Sequence, residues 1–337
     1  MKLTRRQFGI AAGASVVAIA SPLPLRAQSP IVIKFSHVVA DDTPKGKASL
    51  KFKELAEKYT DGKVKVEVYP NSQLYKDKEE IEALQLGAVQ MLAPSTAKFA
   101  PLGAKEFEAL DLPFVFPDTA TYTKVIEGPT GQFLMEKLEP AGISGLAFWD
   151  NGFHMMTGNR PMHVANDFQG MKIRISGSKI ADQYFRKVGA IPQILAFSEV
   201  YQAMQTGVVD GGENTPSNIY TQKFFEVQKH ISSADHAHLQ YAVIVNSKFW
   251  KGLPSDIKPQ VDKAMKEATA FGNQIANQEN VDAFEAIKKS GKSTIYMVPP
   301  NEKKTWVDAM LPVHEWAVGR CGQEVVDLLH KAAGFHT

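Results

Sequence analysis

An eight-residue pattern occurs twice in this chain, as Ala83-Leu-Gln-Leu-Gly87-Ala-Val-Gln90 and as Ala203-Met-Gln-Thr-Gly207-Val-Val-Asp210. In both copies an apolar helix face would end at a glycine suited to the left-handed position after a helix, with a buried strand next. Each copy also lies one strand-turn-helix downstream of an alternating strand. An isolated match of this length can be chance, whereas the shared context favours a duplicated lobe. Few other features restrict the fold as strongly.

The segments around the first copy read as alternating strands and helices. Ile31–Ser36 is an apolar strand. Thr43 or Asp42 can cap a helix that has Pro44 in its first turn. Leu50, Phe52, Leu55, Ala56 and Tyr59 then recur at helical spacing until Asp61-Gly62. Val64, Val66 and Val68 alternate with charged residues up to Tyr69-Pro70, a half-buried strand. A helix over 77–86 and a buried run Ala88–Pro94 follow. Such alternation predicts α/β lobes with largely parallel sheets and a ligand crevice beyond the carboxyl ends of the strands. Further on, apolar spacing predicts one helix over 254–289, long enough to span both lobes. A strand Thr294–Val298 and helices over about 302–318 and 321–333 complete the pattern. No linker or charge block separates the lobes, so the chain is expected to cross between them more than once.

The N-terminus reads as a targeting segment. Lys2, Arg5 and Arg6 precede an apolar run from Phe8 to Ala20, too short to span a membrane, and Ala27 offers a small residue for cleavage. Thr4-Arg-Arg-Gln-Phe8 is similar to the twin-arginine export pattern; a plain basic n-region is the other reading. Removing residues 1–27 takes away four bases and no acid, moving the formal charge from +2 to −2. Nucleic acid is therefore not a natural partner. The single cysteine, Cys321, excludes an internal disulfide or a cysteine-rich metal site.

The chemistry concentrates in residues 170–216. In Met171-Lys-Ile-Arg-Ile175 the apolar positions share one strand face, and Lys172 and Arg174 the other. Arg174 on a cleft-facing strand would suit a carboxylate, because its planar fork matches that geometry; a surface arginine on an edge strand is the competing reading. Ser198 reads as a helix N-cap. Phe197 before it would either wall a cleft or staple the helix, and Asn214 past a strand end would either donate to an anion or simply turn the chain. His236-Ala-His238 is the only close histidine pair, and no carboxylate pattern makes it a zinc site. No nucleophile elbow, dinucleotide fingerprint or P-loop is present. The residues point to a binder without cofactor or metal rather than an enzyme; a metal site or catalytic triad assembled from residues distant in the chain is the alternative.

Seven ordered segments carry a family resemblance: Val68-Tyr-Pro-Asn-Ser-Gln-Leu74, Leu110-Asp-Leu-Pro-Phe-Val-Phe116, Trp149-Asp-Asn-Gly152, Gly170-Met-Lys-Ile-Arg174, Phe197-Ser-Glu-Val-Tyr201, Gln205-Thr-Gly-Val-Val-Asp-Gly211 and Phe225-Glu-Val-Gln-Lys229. Together they resemble the DctP-type solute-binding proteins of tripartite ATP-independent periplasmic (TRAP) transporters, over essentially the whole mature chain. The resemblance implies a two-lobed periplasmic-binding-protein-like α/β fold with parallel or mixed sheets, a ligand cleft between the lobes and a long helix spanning both. Lobe I would comprise 28–150 with parts of about 240–290, and lobe II 151–239 with parts of the C-terminal region. A monomer in the periplasm would capture an organic acid and pass it to a TRAP permease. Arg174 would hold the ligand carboxylate, Asn214 would assist it and Phe197 would wall the site. The family's second basic residue falls on His154, which as a neutral imidazole donates only one hydrogen bond. Other first-lobe ligand candidates are His37, Lys45, Gln73, Ser95 and Lys98. This set most resembles binders of four-carbon dicarboxylates; a 2-oxo acid, a sugar acid or an aromatic acid are alternatives. A binding protein of an ATP-driven importer and a secreted enzyme acting on carboxylic acids are the competing classes.

Overall fold

The structure, a computed structural model, describes residues 29–336. The expected export segment and its cleavage site lie outside the described residues. Eleven strands run in chain order: β1 (Ile31–Ser36), β2 (Val64–Tyr69), β3 (Met91–Leu92), β4 (Ile143–Phe153), β5 (Met155–Gly158), β6 (Lys172–Ile175), β7 (Ile191–Ile194), β8 (Gly211–Asn214), β9 (His230–Ser233), β10 (His238–Asn246) and β11 (Thr294–Met297). They form two sheets, ordered β2-β1-β3-β10-β4 and β11-β9-β5-β8-β6-β7.

The duplicated pattern reappears as duplicated topology. In the first sheet β1 is flanked by β2 and β3, all parallel. In the second, β6 is flanked in the same way by β7 and β8. The echoed segments form short helices, Glu80–Gln85 and Val200–Gln205. Gly87 (φ +77°) and Gly207 (φ +74°) follow them in the left-handed region. Beyond β3 and β8 each sheet continues with antiparallel strands. The sheets are therefore mixed rather than largely parallel.

Three segments join the lobes. β4 of the first sheet becomes β5 of the second with only His154 between them, and β9 returns to β10 through 234–237. The third is the helix Lys258–Ser290, about 50 Å long at 1.5 Å per residue. It packs on the helix Pro44–Tyr59 of the first lobe and on Pro216–Thr221 of the second. Side chains staple it to the end of β4. Trp149 Nε1 donates to Thr269 Oγ1 at 2.9 Å, Asn273 Oδ1 accepts from Asp150 N at 2.9 Å, and Asn280 Nδ2 donates to Asn151 O at 2.8 Å.

One core lies between the first sheet and its covering helices, through Phe35, Phe52, Ala56, Val261 and Ala268. Another backs the second sheet, through Met155, Val200, Met204, Ile219 and Ile231. The largest joins elements of both sheets, from Phe107 and Phe148 to Ile173, Phe185 and Trp306. Four local expectations need correcting. Leu50 is exposed, because the buried stripe of its helix is Ala48, Phe52, Leu55 and Ala56 and position 50 faces away from it. The helix expected over 77–86 is confined to Glu80–Gln85, and the buried run Ala88–Pro94 forms strand only at Met91–Leu92. Ser198 caps nothing, since it lies inside a 3₁₀ turn, Phe197–Glu199, that precedes the helix. Three C-terminal helices stand where two were expected (Pro300–Met310, Val313–Cys321 and Gln323–Ala333). Pro312 has no N–H to continue the first of them.

Candidate functional site

The carboxyl ends of both parallel strand sets converge on a crevice between the lobes, where α/β sheets bind ligands. Its lining includes Val38, Asp77, Ser95, Lys98, Arg174, Phe197, Asn214 and Tyr241. β6 is an internal strand, so Arg174 is no edge-strand arginine. Ile173 and Ile175 enter the large core, while Arg174 points to the opposite face and is only 4% exposed. Its Nε and Nη2 both donate to Leu195 O, at 3.2 and 3.0 Å. Nη1 is left without a protein acceptor among the described residues. Across the ladder stands Gly212, where a Cβ would come within 3.3 Å of the Arg174 Cβ. The Phe197 ring lies 5.9 Å from the guanidinium carbon.

Asn214 ends β8. Its Oδ1 accepts from Thr215 N at 3.0 Å and from Asn218 Nδ2 at 2.8 Å, which leaves its NH₂ as the free donor. Asn218 also donates to Tyr241 Oη at 3.0 Å. The first lobe contributes Ser95 and Lys98, whose Nζ lies 3.1 Å from Asp77 Oδ1. Asp77 in turn accepts from the backbone N–H of Phe197, so one carboxylate ties the lobes together at the crevice. Burial would raise the Asp77 carboxyl, but Lys98, Arg174 and that N–H together hold it below its usual range.

The other candidates lie elsewhere. Lys45 is wholly buried just behind the lining: its Nζ donates to Ala93 O at 2.9 Å and sits 3.6 Å over the Tyr241 ring. Burial lowers it to about 8, and Glu80 and Asp77 oppose that shift. Burial, with Asp77 adding, pushes the Glu80 carboxyl up to about 8. His37 is buried, no side chain among the described residues hydrogen-bonds either ring nitrogen, and burial lowers it to about 3. Gln73 is exposed in a turn after Asn71 and Ser72, both at positive φ. His154 turns away from the crevice towards Glu213, its Nδ1 3.3 Å from Glu213 Oε2. The structure thus brings Arg174, Asn214, Phe197, Ser95 and Lys98 together and leaves His37, Lys45, Gln73 and His154 off the cavity wall. Sequence reasoning missed Asp77, Asn218 and Tyr241. Asp77 reads as the start of a helix, and Asn218 and Tyr241 lie in stretches without a motif, so none of the three carries a local signal.

Paired lobes meeting at a crevice lined by Arg174 and Lys98 define a two-lobed solute-binding protein. Residues 35–318 match the bacterial extracellular solute-binding proteins, family 7 (DctP). A C4-dicarboxylate-binding periplasmic protein DctP of Rhodobacter capsulatus is 55% identical over 324 residues, 96% of this chain and 97% of that relative. A solved TRAP periplasmic solute-binding protein from Shewanella oneidensis, with bound succinate, has a TM-score of 0.88 at 41% identity, covering 90% of this chain and 100% of that one. Another, from Pseudomonas aeruginosa PAO1 with bound L-malate, has a TM-score of 0.83 at 40% identity, covering 85% and 99%. The chain belongs to the family 7 extracellular solute-binding proteins.

Proposed function

We propose that this protein captures a four-carbon dicarboxylate in the periplasm, as a monomer without catalytic activity, and delivers it to a TRAP-type permease. The placement of cations across the crevice carries this reading. Arg174 lines it from the second lobe and Lys98 from the first. A dianion can pair with both, whereas a monoanion satisfies only one of them. One ligand carboxylate would take the free edge of Arg174 and the Asn214 amide. The other would take Lys98 and the Ser95 hydroxyl, the role His154 cannot fill from its place beside Glu213. The lobe boundaries proposed here are those of the two sheets, with 28–150 and 151–239 as the principal parts and the crossing strands and long helix as the hinge. Because the ligand would touch both lobes only when they close, its binding energy would favour the closed form.

Titration calorimetry and thermal shift with succinate, L-malate, pyruvate and galactonate test this reading. Succinate or malate should bind most tightly and raise the melting temperature by mass action. Arg174→Ala should weaken that binding by roughly 30- to 4,000-fold, the equivalent of about 2–5 kcal/mol for a truncated buried charge partner. The apo protein should lose some stability too, because Leu195 O loses both donors. Tighter binding of a monocarboxylate than of either dicarboxylate would refute the assignment.

A further inference from the structure

A second polar cluster lies where the lobes join, away from the crevice. His154 is the single residue between β4 and β5, His236 lies in the return from β9 to β10, and Glu213 precedes Asn214 on β8. One potential ligand atom of each lies within 4.8 Å of the others. His154 Nδ1 and His236 Nε2 are 3.3 and 2.9 Å from Glu213 Oε2. These separations approach the edge of about 3.3 Å that tetrahedral ligands make around zinc with bonds of about 2.0–2.1 Å. His154 Nδ1 is buried and has no hydrogen-bond partner among the described residues. Tyr184 Oη donates to Glu213 Oε2 at 2.7 Å, the kind of outer contact that orients a ligating carboxylate. The His154 side chain keeps 11% of its surface exposed, which leaves a route from solvent.

We propose that His154, Glu213 and His236 form a site for one divalent transition-metal ion, with a fourth position for water. Two imidazoles and a carboxylate suit zinc, cobalt or nickel, whereas calcium and magnesium prefer all-oxygen sites. The ligands come from both crossing strands and from β8. An ion there therefore ties together the segments that must flex if the lobes move. The three residues are scattered through the chain, which is why no spacing motif reveals them.

Chelator-stripped protein, free of any organic acid, is titrated with Zn²⁺ by calorimetry and with Co²⁺ by visible absorption. One equivalent of Zn²⁺ should bind, Co²⁺ should give the d–d bands of a nitrogen- and oxygen-ligated four-coordinate site, and Zn²⁺ should shift the imidazole NMR signals of His154 and His236. His154→Arg, which cannot ligate, and His236→Gln should each weaken Zn²⁺ binding by roughly tenfold or more. Their folding is checked by melting in chelator. Absence of saturable one-equivalent binding, unchanged affinity in a folded variant, or Zn²⁺ shifts at other histidines overturns the proposal and leaves the cluster as a hydrogen-bond network. Dicarboxylate binding is measured separately in chelator, so either reading can fail alone.

Discussion

His37 illustrates how burial decides the chemistry of a single residue. Among the described residues no side chain hydrogen-bonds either ring nitrogen, and burial, with Lys45 adding and the Val39 backbone opposing, lowers its pKa from 6.5 to about 3. Between those values the unfolded chain takes up a proton that the folded one refuses, so acidification favours unfolding. This group contributes up to about 1.4 kcal/mol of lost stability per pH unit as pH falls from about 6.5 towards 3. Urea unfolding of His37→Asn between pH 7 and 5 should show a correspondingly shallower loss than the wild type. An unchanged slope would mean that His37 is protonated in the folded state. His314, lowered to about 4 chiefly by burial, should keep part of the acid sensitivity in both proteins.

At the scale of elements, side chains couple the end of β4 to the long helix that spans both lobes. Gly152 has φ +87°, and a Cβ there would lie 2.8 Å from Asn280 Nδ2. Asn280 cannot yield freely, because it bonds Asn151 O and accepts from Ser217 N at 3.0 Å. Gly152→Ala should therefore cost about 1–3 kcal/mol of backbone strain plus loss of one or both bonds. Gly170→Ala, at φ +74° with open space around it, should bear the backbone term alone. Chemical denaturation compares the two, and equal losses would show that the Asn280 staple contributes nothing. Gly152 was visible in the sequence as part of the Trp149-Asp-Asn-Gly152 segment. Its reason was not, since the helix that crowds it arrives from more than a hundred residues away.

For the whole molecule, the lobes meet through Asp77 and Phe197 and, at the rim, through Lys76 and Glu199, 3.0 Å apart. This is a closed arrangement. Solution X-ray scattering should find the apo protein more expanded than this structure, and saturating succinate should contract it. An identical radius of gyration with and without ligand would rule out hinge closure as the consequence of binding. Much of this architecture was legible beforehand, because the echoed glycines, the alternating strands and the long apolar stripe are local periodicities. The antiparallel strands β4, β5, β9 and β10 were not, because pairing direction depends on partners distant in the chain.

The chain by itself determined two α/β lobes and the family resemblance, and it pointed to Arg174, Asn214 and Phe197, which the fold gathers at one crevice. Strand and helix periods, glycine positions and segment order are properties of neighbouring residues, so they survive without coordinates. Only the tertiary structure decided which first-lobe cations reach the crevice, that Asp77 balances them, and that His154 turns to Glu213 and His236. Those outcomes rest on burial and on distances between side chains far apart in sequence, and desolvation and pairing energies do not exist until the lobes have packed.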